Sequence, residues 1–301
     1  MTSPAEFSLA VARLGESLKA CQRLFVITGA GCSAPSGIAT YRDDEGQWQH
    51  PQPVQQQDFL RDPVVRQRYW ARSFHGWPVV SQAQPNAAHV ALAELEVQGL
   101  FSVLLTQNVD GLHQQAGQRD LIELHGSLAE VVCLSCGDRT SRALLQRWLE
   151  ENNPDFPATA IAGPDGDADI AMLNGARVSD FQVPECVHCG GLVKPDVVFY
   201  GDTVPPERVA RAFAMLAASD GLLVVGSSLM VYSSFRFCRQ AHSLGMPQFA
   251  VNVGKTRADA WFDCKIELDC AQVLPGLCCD RLGARGRRLQ TVNLCPGERS
   301  N

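Results

Sequence analysis

With 301 residues the chain has room for one large domain plus a subdomain, and its 46% apolar content suits an enzyme with a real core. The net charge of −6, with no basic run before the tail, argues against a nucleic-acid partner. No apolar run approaches the roughly 20 residues needed to span a bilayer, and the N-terminus lacks the pattern of a secretory signal, so a cytoplasmic protein with no membrane partner is expected. Twelve cysteines in a chain this long fit a reducing interior with one metal site better than a disulfide scaffold.

Residues Glu6 to Ala20 place Phe7, Leu9, Ala10, Leu14 and Leu18 at helical spacing. Leu24 to Thr28 (LFVIT) reads as a buried strand running directly into Gly29-Ala30-Gly31-Cys32-Ser33-Ala34. That loop matches the G-x-G-x-x-G/A dinucleotide pattern, in which glycines let the backbone approach a pyrophosphate. A hydride-transfer fingerprint would continue into a long helix and then a strand ending in an acid about 20 residues on. Here the chain enters a polar loop, Arg42 to Trp48, expected to fold over a bound dinucleotide.

Asp58 to His75 reads as one helix carrying Phe59, Tyr69, Trp70 and Phe74. Pro85-Asn86 opens another, which ends near Gly99. The strand Val103-Leu104-Leu105 then delivers Gln107, Asn108 and Asp110 at its carboxyl end, and the run Leu121-Ile122-Glu123-Leu124 delivers His125. Ligands of α/β sheets bind outside the carboxyl ends of strands, so amide, carboxylate and imidazole groups are aimed at one crevice.

Cys133-x-x-Cys136 and Cys186-x-x-Cys189, 49 residues apart, predict a closed four-thiolate zinc cage, structural and without an open position for water. His188, inside the second pair, allows a weaker three-cysteine, one-histidine alternative. The polar stretch Ile161 to Asp169 lies between the pairs. Beyond them come helices over Pro205–Ala218 and Ser234–Leu244. The strands Leu222–Val225, ending in Gly226-Ser227-Ser228, and Pro247–Val253, carrying Asn252, alternate with them. Strands alternating with helices predict an α/β fold with a Rossmann-like, doubly wound parallel sheet, a smaller zinc-binding module and a helical insertion. The expected division is a large domain of residues 1–43, 86–126 and 196–282, a helical insertion at 44–85, a zinc module at 127–195 and a loose tail at 283–301.

The motifs GAGCSAPSGIATYR, TQNVDGLH, ELHG, the paired CxxC, KPDVVFYGD, GSS and VNVG stand in the order found in sirtuins, and the chain resembles that family from about Phe25 to Leu274. Arg66 to Arg72 (RQRYWAR), followed by Gly76-Trp77-Pro78, is most similar to the class II, sirtuin-four-like branch. The resemblance implies an NAD-dependent protein-lysine deacylase that releases nicotinamide and O-acyl-ADP-ribose. Its partners would be acyl-lysine proteins or peptides, and its cofactors NAD and one structural Zn2+. Carried over, Gly29, Ala30, Ser33, Tyr41 and Arg42 would contact NAD; Gln107, Asn108 and Asp110 would hold its nicotinamide ribose and carboxamide. Gly226, Ser227 and Ser228 would cradle phosphate and ribose, and Asn252, Val253, Gly254 and Cys270 would border the adenosine half. His125 would be the general base, a task suited to imidazole near neutral pH, with Asn108 and Asp110 beside it as catalytic partners. Val197, Val198, Phe199, Tyr200 and Gly201 would pair with the substrate peptide as an added strand.

The chain departs from the family in Ala39-Thr40, where Pro-Asp is common, and in Cys32, where Ile or Val is usual and which would be oxidation-sensitive if exposed. Tyr69 and Arg72, three apart on one helix, resemble a pair that grips acidic acyl groups, an arrangement open to Arg through its bidentate guanidinium. A mono-ADP-ribosyltransferase at the same site and a non-catalytic NAD sensor or adaptor remain as alternative readings.

Overall fold

Five successive residues without solvent exposure, Leu24–Thr28, form strand β1 at the centre of the molecule. The computed structural model describes residues 3–49, 53–156 and 178–285. Helix α1 (Pro4–Leu18) precedes β1. After it come α2 (Ala30–Ser33), α3 (Gln56–Arg61), α4 (Pro63–Gln82), α5 (Ala87–Val97), β2 (Phe101–Thr106), α6 (Leu112–Gln115), β3 (Leu121–Glu123), β4 (Gly126–Cys133) and β5 (Arg139–Ser141). The chain continues through α7 (Arg142–Asn152), β6 (Val193–Val197), α8 (Pro206–Ala217), β7 (Gly221–Val225), α9 (Tyr232–Ser243), β8 (Gln248–Val251), β9 (Cys264–Ile266) and α10 (Cys270–Arg285).

Six strands make one parallel sheet in the order β3-β2-β1-β7-β8-β9. Successive side chains of a strand point to opposite faces, so both faces must be covered. Leu24 and Val26 join a core with Leu14 of α1, Leu92 and Leu95 of α5 and Leu274 of α10. Phe25 and Ile27 join the opposite core with Ala212 and Leu216 of α8 and Phe237 and Ala241 of α9. This is the doubly wound α/β arrangement expected from the sequence. The strand order reverses between β1 and β7, and that reversal opens a crevice above their carboxyl ends.

A second sheet is antiparallel, in the order β5-β4-β6. Its core takes Val131, Cys133, Leu145, Leu149 and Val193 together with Phe59 of α3 and Tyr69, Trp70 and Ala71 of α4. The stretch expected as a separate helical insertion therefore shares one core with the cysteine module. The single helix expected over Asp58–His75 is two. Pro63 opens α4 and forces Asp62 out of the helical region, to φ −108° and ψ 112°. The Asp62 carboxylate then accepts the Val64 N–H at 2.8 Å as a cap. At the other end of the chain, α10 carries regular structure through Arg285, past the expected end at Leu282. The Ile161–Asp169 stretch and the tail beyond Arg285 lie outside the described residues.

One glycine joins the two sheets. Gly126 has φ +85°, and a Cβ there would sit 2.0 Å from the Asp196 carbonyl oxygen. Only glycine allows β4 to cross so close to β6 directly after His125.

Candidate active site

The crevice at the switch point is a cavity of about 810 Å3. Gly29, Ala30, Ser33, Tyr41, Arg42, Gln107, Asn108, Asp110, His125, Gly226, Ser227, Ser228, Asn252, Val253 and Cys270 all line it. So do Val197, Val198, Phe199, Tyr200, Gly201 and Tyr69. Residues that lie far apart in the chain thus converge on one volume. Gly254 and Arg72 do not line it. Gly254 has φ +75° and leaves room for the Asp44 carbonyl, where a Cβ would come within 2.3 Å; it fastens the 43–48 loop instead. Tyr69 packs its ring on Phe59, Trp70 and Phe199 at the cavity wall, and Arg72, three residues on, lies outside that wall.

The first glycines serve the fold as well as the cavity. A Cβ on Gly29 would lie 2.8 Å from Ser227 Cβ, and one on Gly31 would lie 2.9 Å from the Gly226 carbonyl oxygen. They let the turns after β1 and β7 touch, which closes the back of the crevice. Cys32 is fully buried behind that contact, so its thiol is not the oxidation-exposed group it would be at the surface. Arg42 stacks its guanidinium 3.9 Å over Trp48 and donates to the Gly46 carbonyl at 2.8 Å, which folds the polar loop back on itself.

A polar network sits under the cavity floor. Ser33 Oγ donates to Asp110 Oδ2 at 2.7 Å and accepts from Asn108 Nδ2 at 2.9 Å. Asp110 Oδ1 takes the Leu112 N–H, and Asn108 Nδ2 also reaches the Gly29 carbonyl at 3.0 Å. Gln107 Nε2 ties Ser227 Oγ at 2.7 Å to the Thr28 carbonyl at 3.2 Å. Two histidines missed in the sequence complete the layer. His89 lies 3.5 Å from Ser33 Oγ, and His113 lies 2.9 Å from Thr28 Oγ1. His89 follows Asn86 by one helical turn, and His113 follows Asp110 by three residues; that spacing was the available signal. Burial pushes His113 down to about 3, with His89 adding to the effect. Cys32, His89 and His113 offer ligand atoms within 4.8 Å of one another. However, His89 Nδ1 accepts the Asn86 N–H at 3.3 Å, so its other nitrogen carries the proton and faces Ser33. The cluster is a hydrogen-bonded support.

His125 is half-buried with both ring nitrogens engaged. Nδ1 lies 3.0 Å from the Gln107 carbonyl oxygen, which only accepts, so Nδ1 carries the proton. Nε2 is left with its lone pair and takes a 2.7 Å hydrogen bond from Ser233 Oγ. Burial pushes the ring down to about 4; the Gln107 carbonyl opposes this, and Arg208 and Arg236 add to it. The backbone carbonyl of His125 accepts the Val198 N–H at 2.8 Å, tying the imidazole to the 197–201 segment. Ser233, on the first turn of α9, also lines the cavity and had no sequence signal.

The thiols of Cys133 and Cys189 are 3.5 Å apart, those of Cys136 and Cys186 3.7 Å apart, and all four lie within 4.8 Å of one another. A tetrahedral zinc with bonds near 2.3 Å has ligand edges of about 3.8 Å, so the four thiols fit that ion. The Cys136 N–H leads the groups that hold the Cys133 thiol down to about 6, which favours the thiolate a metal needs.

A parallel sheet with a switch-point crevice, a glycine turn and a four-cysteine cluster defines an α/β dinucleotide-site protein with a zinc module. Residues 29–233 match the model of the Sir2 family, and the chain belongs to that family. It is 53% identical over 262 residues to an NAD-dependent protein deacetylase of Xanthomonas campestris pv. campestris (strain 8004), covering 87% of this chain and 88% of the relative. A Bordetella bronchiseptica NAD-dependent protein deacetylase is 53% identical over 254 residues, covering 84% and 92%. Among solved structures, a Sir2 with a p53 peptide and NAD+ superposes with TM-score 0.69 at 28% identity, covering 91% of this chain and 98% of that one. A Sir2 bound to an acetylated peptide gives TM-score 0.69 at 27% identity, covering 92% and 98%.

Proposed function

We propose that the protein is an NAD-dependent protein-lysine deacylase, with His125 as its general base. The observation that carries this is the ring's tautomer: the Gln107 carbonyl fixes the proton on Nδ1 and presents the Nε2 lone pair to the cavity. NAD supplies a sugar carbon whose leaving group is nicotinamide. In this reading Asn108 and Asp110, locked by Ser33, receive the nicotinamide end, and Gly226, Ser227 and Ser228 take the phosphate and ribose. The segment Val197 to Gly201 pairs with the acyl-lysine peptide beside His125, to which Val198 is already bonded. The four cysteines hold one structural zinc. Unpaired thiols at such a cluster fit a reducing, cytoplasmic setting.

The test is nicotinamide release with NAD and a panel of acyl-lysine peptides. Release should require the peptide, and His125→Tyr should cut it on the order of a thousandfold while NAD still binds. Release that proceeds equally without acyl-lysine would point to another acceptor and overturn the deacylase reading.

A further inference from the structure

The Ser233 hydroxyl has no place in the chemistry described so far. Ser233 and Ser234 open α9 side by side and do different work. Ser234 is fully buried and returns its hydroxyl to the Val231 carbonyl at 3.0 Å. Ser233 turns into the cavity, and its hydroxyl reaches His125 Nε2 at 2.7 Å. Arg236 braces the position by donating Nε to the Ser233 carbonyl at 2.8 Å. Because Nδ1 faces a carbonyl, Nε2 has no proton to give, so Ser233 must be the donor. It sits on the same lone pair that a general base needs.

We propose that Ser233 is a positioning residue: it holds His125 in the neutral, Nδ1-protonated form before nucleotide arrives, and then yields Nε2 to a sugar hydroxyl. A donor on Nε2 stabilises the neutral ring and opposes its protonation. The other groups acting on the ring are Arg208 from α8 and Arg236 from α9, both opposing protonation, and the Gln107 carbonyl beyond β2, favouring it. Glu123, the last residue of β3, lies two positions before it in the chain, and Asp110 and Asp202 line the same cavity. With two guanidiniums already disfavouring the cation, the hydroxyl adds direction: it keeps the lone pair aimed into the crevice.

The inference rests on the deacylase reading for the exchange step, and a spectroscopic test separates the two. In the nucleotide-free protein, nitrogen NMR of 15N-histidine reads the tautomer and titration of His125 directly. Ser233→Ala should raise the pH at which the ring protonates by on the order of one unit, the size of a net hydrogen bond, and weaken the Nδ1–H preference. Ser233→Thr, which keeps a hydroxyl, should restore both, and it serves as the folded control if the alanine variant is unstable. An unchanged titration and tautomer in Ser233→Ala would overturn the proposal, whatever the enzyme's activity. In kinetics, the acid limb of kcat/KM for NAD reports the free enzyme and should move up with it, whereas the limb of kcat reports the loaded enzyme and should stay. Equal movement of both limbs would rule out the exchange.

Discussion

His113 and His125 are both held neutral by burial, one at about 3 and the other at about 4. In an unfolded chain each would titrate near 6.5. A histidine depressed on folding contributes stability that is full above the unfolded value and is lost as pH falls toward the folded one. Between about pH 6.5 and pH 4 the unfolded state therefore binds up to two more protons than the native state, and stability falls with pH. His113→Gln, which keeps a donor for Thr28, should remove about half of the slope these two residues cause. Urea unfolding at pH 7.0, 5.5 and 4.5 measures it, and a variant with the wild-type slope would show that His113 takes no part. This scale was only partly legible in the sequence. Asn108, Asp110 and His125 stand at strand ends, where side chains of one short segment must face the crevice. His89, His113 and Ser233 stand on helices, and what they touch depends on crossovers that no local spacing encodes.

At the scale of elements, the central strands were readable because a parallel strand buried on both faces is an unbroken apolar run, as in Leu24–Thr28 and Leu222–Val225, whereas their order in the sheet was not. The Asp58–His75 stretch misled because its aromatic spacing is helical on both sides of Pro63, so the period concealed the break. The β6 turn shows what an element must do for the site. Lys194 is nearly buried, donates to the Val197 carbonyl, lies 4.6 Å over the Phe199 ring and stands 3.9 Å from Asp202. One ammonium thus ties Val197 and Phe199, in the 197–201 segment proposed to receive the peptide, to Asp202 just beyond it. Lys194→Met should raise KM for acyl-peptide about tenfold, since a charged hydrogen bond is worth about 1.5–3 kcal/mol, and leave KM for NAD unchanged. Lys194→Arg should recover part of the loss. A parallel rise in both KM values would mean the whole crevice had loosened and would defeat this assignment.

At the scale of the whole molecule, two sheets with separate cores meet at His125, the proposed general base. The large sheet carries its own apolar cores on both faces. The small sheet depends on Cys133 at the end of β4, Cys136 in the next turn, and the Cys186–Cys189 turn that leads into β6. β4 begins at Gly126, next to His125, and β6 ends at Val197, where the proposed peptide strand starts. Removing zinc should therefore release both ends of the reaction site while the nucleotide half stays folded. Treatment with a strong chelator should extract one zinc per chain and abolish acyl-dependent nicotinamide release. Hydrogen exchange should accelerate in β4, β5 and β6 and remain slow in β1 and β7. The asymmetry follows from where the stabilisation lies: strand pairs β1–β2 and β1–β7 are closed by buried leucines, valines and phenylalanines, whereas the small sheet's far end is closed by four thiols. A metal-free protein that kept its peptide KM, or lost protection in β1 as early as in β4, would show that the two halves do not divide the work in this way.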